Sequence, residues 1–212
     1  MKMHNQSPWL TIPASDYEGH MGSDNVGQLV VLDQLFSKAL VDFSPQNLAV
    51  LGCATGNGFQ HIDPEKTLRI VGIDINKEYL DILSSRYSRK LTNMELVCSD
   101  ITTCQFNDVS FDLVYSALVF EYVKPGDVLP VITPWIQKGG KLVVVLQMRS
   151  LQSKMVSETP YTSLKSLEPI MELVEPKSFE ESAEIHGLHL IKSWEVPLQA
   201  GKRFHVACYE KS

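Results

Sequence analysis

The chain has 212 residues, of which 44% are hydrophobic, so it is long enough to bury the core of one α/β domain. Its formal net charge is −6 and its basic residues are scattered, which disfavours nucleic acid as a partner and favours a small molecule. The four cysteines show no metal-ligand or disulfide spacing and no apolar run is long enough to span a membrane, which predicts a soluble, cytoplasmic protein without a bound metal.

The first 22 residues contain two prolines and two glycines among aromatic and polar side chains, which predicts an irregular N-terminal arm. Between Val26 and Leu40 the apolar residues then recur at helical spacing and predict an amphipathic helix. We therefore expect an arm over residues 1–22 and one domain over residues 23–212. Because Pro- and Gly-punctuated loops often close over binding sites, we expect this arm to act as a lid.

Five short apolar runs rich in branched residues follow, separated by helical stretches. They cover residues 47–52, 68–73, 94–98, 111–115 and 142–146. Continuous apolar runs alternating with helices are typical of parallel strands that are buried on both faces by crossover helices. The sequence therefore predicts five parallel strands.

The C-terminal part has a different pattern. Ser178 and Glu181 have the spacing of a capping box and predict the start of a helix that Gly187 ends. Residues 188–198 and 203–210 then flank a four-residue connection, so they predict a closing antiparallel hairpin.

Small and acidic residues follow the first three predicted strands, at the edge where open parallel sheets bind ligands. The first strand runs into a turn that contains Gly52, Gly56 and Gly58. Asp74 follows the second strand, 22 residues after Gly52, which is the spacing of an acid that binds a ribose diol. Asp100 follows the third strand, where an acceptor can bind an exocyclic adenine amine. The alternatives are a helix cap for Asp74 and a solvated turn for Asp100.

The order of these motifs resembles that of the class I S-adenosylmethionine-dependent methyltransferases. The resemblance covers residues 43–210 and includes FDLV at 111–114 and GGK at 139–141. It implies a Rossmann-like doubly wound α/β fold, whose seven-stranded, mostly parallel sheet ends in a C-terminal antiparallel hairpin. It also implies S-adenosylmethionine as cofactor and S-adenosylhomocysteine as product. Residues 16–21 with 26–28 are similar to an arm of a microbial, small-molecule-type subgroup, which implies no particular substrate.

Two positions depart from the family pattern. Gly52 stands where the family usually has an acid that binds the methionine amino group, and Ala54 stands at the usual first glycine. Alanine is suited to a negative φ. Either an arm residue such as Asp16 replaces the missing carboxylate, or the cofactor binds weakly. The predicted cofactor-binding residues are Gly52, Ala54, Gly56, Gly58, Asp74, Ile75, Asp100, Ile101 and Ser116.

Methyl transfer to a hydroxyl or a protonated amine needs a group that removes a proton. The predicted catalytic candidates are Tyr17 and His20 on the arm and Glu121 after the fourth strand, with Tyr122 beside it. A packing role for Tyr17, an exposed position for His20 and a solvated helical position for Glu121 are the alternatives. The fourth strand ends without an Asn/Asp-Pro-Pro motif, which disfavours adenine-N6 and glutamine acceptors.

Two other functions remain open from the sequence. Tyr161 and Lys165 match the YxxxK pair of short-chain NAD(P)-dependent oxidoreductases, although the glycine-rich turn of that family is missing near the N-terminus. A non-catalytic relative that binds a nucleoside is the second alternative, because Gly52 replaces the usual acid and a fold does not establish an activity.

Overall fold

The computed structural model describes residues 7–106, 110–150 and 154–212 and contains a seven-stranded sheet. The strands are β1 (Asn47–Leu51), β2 (Arg69–Asp74), β3 (Met94–Cys98), β4 (Phe111–Ala117), β5 (Ile136–Gln147), β6 (Leu188–Pro197) and β7 (Arg203–Lys211). The α-helices of the described residues are α1 (Ala14–Gly22), α2 (Gln28–Phe43), α3 (Lys77–Tyr87), α4 (Pro125–Ile132) and α5 (Pro176–Ile185). No helix of these residues is long and apolar enough to cross a membrane.

The strand order is β3-β2-β1-β4-β5-β7-β6. Strands β1 to β5 pair in parallel, whereas β7 lies between β5 and β6 and pairs with both in antiparallel orientation. The predicted mostly parallel, seven-stranded sheet with its antiparallel C-terminal hairpin is thereby confirmed. The chain moves outward from β1 through β2 to β3 and then returns to β4, so the topological switch point lies between β1 and β4.

Helices cover both faces of the sheet. On one face α2 and α3 bury apolar side chains, and Leu32, Leu35, Phe36 and Ala39 of α2 have the spacing of a single helical stripe. On the other face α4 and α5 bury a second set, which includes Phe179 at under 1% exposure. This three-layer arrangement explains why the central strands are continuously apolar.

Two details of the prediction are wrong. Strand β3 is not buried on both faces, because it is an edge strand whose side chains are partly or fully exposed. Helix α5 begins at Pro176 with Glu175 as its N-cap and has no side-chain cap, so Ser178 and Glu181 lie within the helix. Proline is favoured in the first turn of a helix because its missing N–H has no partner there anyway. Gly187, with φ +74°, follows this helix as predicted.

The N-terminal arm is also more regular than predicted. After a 3-10 turn at Pro8–Leu10 it forms α1, which begins directly after its N-cap residue Pro13. Gly22 is the last residue of the helix, and Gly19 faces the ring of Tyr161, where a Cβ would have no room. Residues 154–171, here called the covering segment, lie against this helix through hydrogen bonds from Ser163 to Asp16 and between Thr159 and His20.

The turn after β1 packs against α2 and generates a first prediction. Gly58 has φ +90°, and an added Cβ would lie 2.7 Å from Cδ1 of the buried Phe36. We expect Gly58→Ala to lower the free energy of unfolding by about 2–4 kcal/mol, through backbone strain and overpacking. Chemical denaturation measures the change. The matched control is Gly126→Ala in α4, where an added Cβ has no neighbour within 4 Å; unchanged stability in both variants would contradict the packing.

Candidate active site

A cavity of about 370 Å³ opens at the carboxyl ends of the parallel strands, at the switch point between β1 and β4. One half, here called the cofactor half because it holds most of the predicted cofactor-binding residues, is bordered by the residues that follow β1, β2, β3 and β4. The other half lies beneath the N-terminal arm and the covering segment. The arm residues that line it are Ser7, Trp9, Tyr17, His20 and Met21, and those of the covering segment include Met155, Val156, Leu164, Leu167 and Met171.

The turn after β1 approaches the end of β4 closely. Gly52 has φ +61°, and an added Cβ would lie 2.5 Å from Cγ2 of Val119. The position therefore has little room for the acidic side chain that the family usually carries there. Ala54 adopts φ +44°, so the expected negative φ at this residue is wrong. Ala54 tolerates this sparsely populated conformation because its N–H donates a hydrogen bond of 2.9 Å to Asp74.

Asp74 connects two loops at this end of the cavity. Its Oδ2 accepts the hydrogen bond from Ala54, and its Oδ1 accepts one of 2.8 Å from the N–H of Asn76. Partial burial raises the pKa of the carboxyl, against the lowering effect of these N–H donors. Asn76, rather than Asp74, caps α3, because its side-chain oxygen accepts hydrogen bonds from the N–H groups of Glu78 and Tyr79. The helix-cap alternative for Asp74 is therefore wrong.

Asp100 borders the cavity after β3. Its Oδ1 accepts hydrogen bonds of 2.8 Å from the N–H and 2.7 Å from the hydroxyl of Thr102, which hold the carboxylate in place. Ile75 and Ile101 line the same half of the cavity and supply apolar surface. The structure thus brings six of the predicted cofactor-binding residues to one cavity: Gly52, Ala54, Asp74, Ile75, Asp100 and Ile101.

The other three predicted cofactor-binding residues lie outside this lining. Gly56 packs against Leu83 and Tyr87 of α3, and Gly58 packs against Phe36 of α2. Both glycines therefore allow the turn after β1 to pack closely against these helices, on the side away from the cavity. Ser116 is fully buried within β4, and its hydroxyl has no hydrogen-bond partner among the described residues.

Glu121 lies in the turn after β4 and lines the cavity, so it is neither helical nor solvated. It is 1% exposed, and its Oε1 accepts a hydrogen bond of 2.6 Å from the N–H of Gln147. Its Oε2 is buried without a hydrogen-bond partner among the described residues. Burial raises the pKa of this carboxyl to about 7. A carboxyl group with this pKa is suited to exchange a proton near neutral pH.

The two arm candidates have different properties. Burial, with the nearby charge of Asp74, raises the pKa of the Tyr17 phenol far above its ordinary value, so the phenol stays protonated. His20 is buried, in contrast to the exposed alternative, and its Nδ1 lies 2.9 Å from Oγ1 of Thr159. Burial and the charge of Lys202 lower the pKa of this imidazole, which favours its neutral form. Tyr122 also has a raised pKa, mainly through burial, and its ring contacts Trp9 edge-on at 5.0 Å between centroids.

Asp16 does not replace the carboxylate that the resembling family usually has at the position of Gly52. Its Oδ2 accepts a hydrogen bond from Ser163, and Asp16 does not line the cavity. Glu18, the other acid of the arm, forms an ion pair with Arg86 and accepts a hydrogen bond from Thr55. The acids that line the cavity are therefore Asp74, Asp100 and Glu121.

Three polar residues of the cavity are not among the predicted site residues. Gln28 donates a hydrogen bond of 3.0 Å to the side-chain oxygen of Gln147, and Lys202 donates one of 2.7 Å to the carbonyl of Met155. All three polar side chains are buried. They come from α2, the end of β5 and the connection before β7, and only the fold brings these segments together. A lysine or glutamine in such a segment is ordinarily a surface residue, so the sequence does not indicate that these side chains are buried in a cavity.

Comparison with known proteins agrees with this geometry. Residues 49–144 match a family model described as a methyltransferase domain. Phosphoethanolamine N-methyltransferase 1 of Arabidopsis thaliana is 26% identical over 106 residues, which are 50% of this chain and 22% of that protein. The chain therefore spans about a fifth of the length of this curated relative.

Solved structures share the fold at low sequence identity. The N-methyltransferase NodS of Bradyrhizobium japonicum, solved with S-adenosylhomocysteine, is 15% identical with a TM-score of 0.69, over 93% of this chain and 97% of that one. The cyclase SpnF is 14% identical with a TM-score of 0.67, over 85% of this chain and 80% of that one. At these identities the likeness shows the fold alone.

The matched domain covers β1 to most of β5, which is the part of the chain that carries the motifs of the cofactor half. The strand order and the antiparallel β7 extend the agreement to the rest of the sheet. Residues 49–144 are therefore similar to a methyltransferase domain, and the whole described sheet has the fold of the class I methyltransferases.

Proposed function

We propose that this protein transfers the methyl group of S-adenosylmethionine to a nitrogen or oxygen atom of a small molecule. The observation that carries the proposal is the cavity itself. It joins the strand ends that bear Asp74 and Asp100 to a buried carboxylate, Glu121, whose Oε2 is unpartnered among the described residues. A cavity of about 370 Å³ that the arm and the covering segment partly cover suits a small acceptor rather than a macromolecule.

The residues of the cofactor half fit an adenosyl group. A carboxylate offers about four lone-pair sites, and the two N–H donors to Asp74 leave capacity for a ribose diol. Asp100 lies after the neighbouring strand β3, with Ile75 and Ile101 available to contact a planar base. The side-chain-free Gly52 allows the backbone to approach the ligand. Asp74 would hold the ribose and Asp100 the adenine.

When bound, S-adenosylmethionine supplies an electrophilic methyl group for an in-line displacement. The protein then has to align the acceptor and exclude water. The N-terminal arm and the covering segment help to exclude water, because Trp9, Tyr17 and Met155 of these segments line the cavity. This position supports a role of the arm as a lid over the site.

Glu121 is the group that we propose to remove the proton of the acceptor. Its free Oε2 accepts the proton while Oε1 stays hydrogen-bonded to Gln147, which fixes the orientation of the side chain. Tyr17 stays protonated at neutral pH and is a donor, so its role is to position the acceptor. His20 is neutral, and its hydrogen bond with Thr159 joins the arm to the covering segment.

The alternatives fit the geometry less well. In the YxxxK pair, Tyr161 packs against Gly19 outside the cavity and Lys165 is exposed, so the pair is not placed for hydride chemistry. A relative that binds the nucleoside without methyl transfer is the second candidate, because SpnF shows that this fold occurs in a protein named as a cyclase. Glu121 favours a methyltransferase, since a cavity-lining carboxyl group with a pKa of about 7 is suited to remove a proton from an acceptor.

The first functional prediction concerns the cofactor. S-adenosylhomocysteine should raise the melting temperature of the wild-type protein, because a ligand that binds only the native state stabilises it. Differential scanning fluorimetry measures the shift, with NAD as the control ligand. Equal protection by NAD and none by S-adenosylhomocysteine would overturn the proposal.

Asp74→Ala should weaken the binding of S-adenosylhomocysteine by about 1–3 kcal/mol, the range for charge-assisted hydrogen bonds. It should also lower the free energy of unfolding, because the N–H groups of Ala54 and Asn76 lose their acceptor. Calorimetric titration, at a temperature where the variant is folded, separates the two effects. Asp81→Ala, an exposed acid of α3, is the matched control. An affinity equal to that of this control would show that Asp74 serves the fold only.

Glu121→Gln should lower kcat by about 10²–10⁴-fold while leaving the affinity for S-adenosylhomocysteine unchanged. In the wild type, kcat/KM should rise with pH through about 7, the pKa of Glu121. The exposed Glu168→Gln is the matched control. Full activity of Glu121→Gln would exclude a proton-transfer role.

The same variant has a stability signature. Because the folded pKa of Glu121 lies above the ordinary 4.5, the folded state binds more protons between pH 4.5 and 7, and the wild type loses stability as pH rises through this window. Glu121→Gln should therefore be more stable than the wild type by about 3 kcal/mol at pH 8, and this difference should disappear below about pH 4.5. Urea denaturation at several pH values measures it.

A further inference from the structure

Lys202 is a buried cation in the half of the cavity that the cofactor-binding residues do not reach. It lies between the 3-10 turn Gln199–Gly201 and β7, and it is 3% exposed. Its side chain lines the cavity. Lysine is almost never buried to this degree unless a counter-charge accompanies it.

No counter-charge for this lysine is found among the described residues. Its Nζ donates one hydrogen bond to the carbonyl of Met155, and an ammonium group has three donors. Burial is the cause that lowers its pKa to about 8, and no carboxylate acts against this shift. A desolvated, uncompensated charge lowers stability, so its position inside a cavity indicates a ligand that supplies the missing anion.

The covering segment supplies apolar walls to the cavity that Lys202 lines. Met155, Val156, Leu164, Leu167 and Met171 come from this segment, and the last four of these are buried. A ligand that extends from Lys202 into this cavity would therefore contact hydrocarbon. We propose that Lys202 binds an anionic group of the methyl acceptor, and that the acceptor is a small organic acid with an apolar body. This inference rests on the proposed methyltransferase function.

The position of Lys202 in the sheet assigns the anion to the acceptor rather than to the carboxylate of the cofactor. Strands β4 and β5 lie between β1 and β7. Three strand spacings correspond to roughly 14 Å, so Lys202 is far from the turn that contains Gly52. The proposed ribose position at Asp74, after β2, is one strand farther away.

Gln147 joins Lys202 to Glu121 along one wall of the cavity. Its backbone N–H donates to Glu121, and its side-chain amide donates a hydrogen bond of 3.0 Å to the carbonyl of Met155, which also accepts from Lys202. An acceptor on this wall would place its anionic group at Lys202 and its nucleophilic atom near Glu121, towards the cofactor half.

The test measures the binding of simple apolar acids. The probes are benzoate, phenylacetate and hexanoate, each compared with its uncharged primary amide, with and without saturating S-adenosylhomocysteine. The variants are Lys202→Met and Lys202→Gln, of which the second retains a donor for Met155. The matched control is Lys165→Met, an exposed lysine of the covering segment. Calorimetry and differential scanning fluorimetry give dissociation constants and melting temperatures.

We expect at least one acid to bind the wild type and Lys165→Met, and to bind both Lys202 variants about tenfold or more weakly, as loss of a charge-assisted hydrogen bond requires. The amides should not distinguish the four proteins, and the affinity for S-adenosylhomocysteine should be unchanged. We also expect Lys202→Met to have a higher melting temperature than the wild type, because the substitution removes a desolvated charge.

Other outcomes overturn the inference. If no acid binds the wild type, or if all proteins bind the acids equally, Lys202 is not an anion site. If the Lys202 variants lose affinity for S-adenosylhomocysteine instead, the anion is the carboxylate of the cofactor. Failure of the proposed function is separable: S-adenosylhomocysteine would then not bind the wild type, whereas the acids would still distinguish Lys202 from Lys165.

Discussion

The carboxylate of Asp74 holds the cofactor half of the cavity in its shape. One oxygen fixes the N–H of Ala54 in the turn after β1, and the other fixes the N–H of Asn76 before α3. The turn after β1 is strained, since Ala54 has φ +44°. Such a conformation persists only where surrounding interactions determine it. The same side chain that we propose to bind the ribose therefore also positions the backbone that surrounds the ligand.

The sequence is informative where local pattern and topology coincide. Five buried runs, a glycine-rich turn and two acids at strand ends predict the sheet and the cofactor half, because a parallel sheet places all its carboxyl ends at one edge. The arm is predicted less well. Prolines and glycines indicate irregular structure, but Pro13 precedes α1, Gly22 ends it, and Gly19 lies within it against the ring of Tyr161.

The half of the cavity beneath the arm and the covering segment shows the limit of prediction more clearly. Glu121 was a candidate from its position after β4, yet nothing in its sequence context indicates that it is 1% exposed. Lys202 has no motif at all, and its burial depends on the covering segment, which is distant in sequence. Burial, rather than residue type, shifts the pKa values of both groups. It also makes an unpaired charge unfavourable, so that a ligand of opposite charge stabilises it more than it would stabilise the same charge in water.

The antiparallel orientation of β7 has a consequence for how this fold diversifies. Because β7 runs against its neighbours, its amino end, and not its carboxyl end, lies beside the end of β5, where the N–H of Met148 donates to the carbonyl of Arg203. The loop between β6 and β7 therefore reaches the cavity from a part of the chain that shares no residue with the glycine-rich turn. Such a loop can vary in length and composition over evolution and alter the shape of the cavity, while the turns after β1 and β2 stay unchanged.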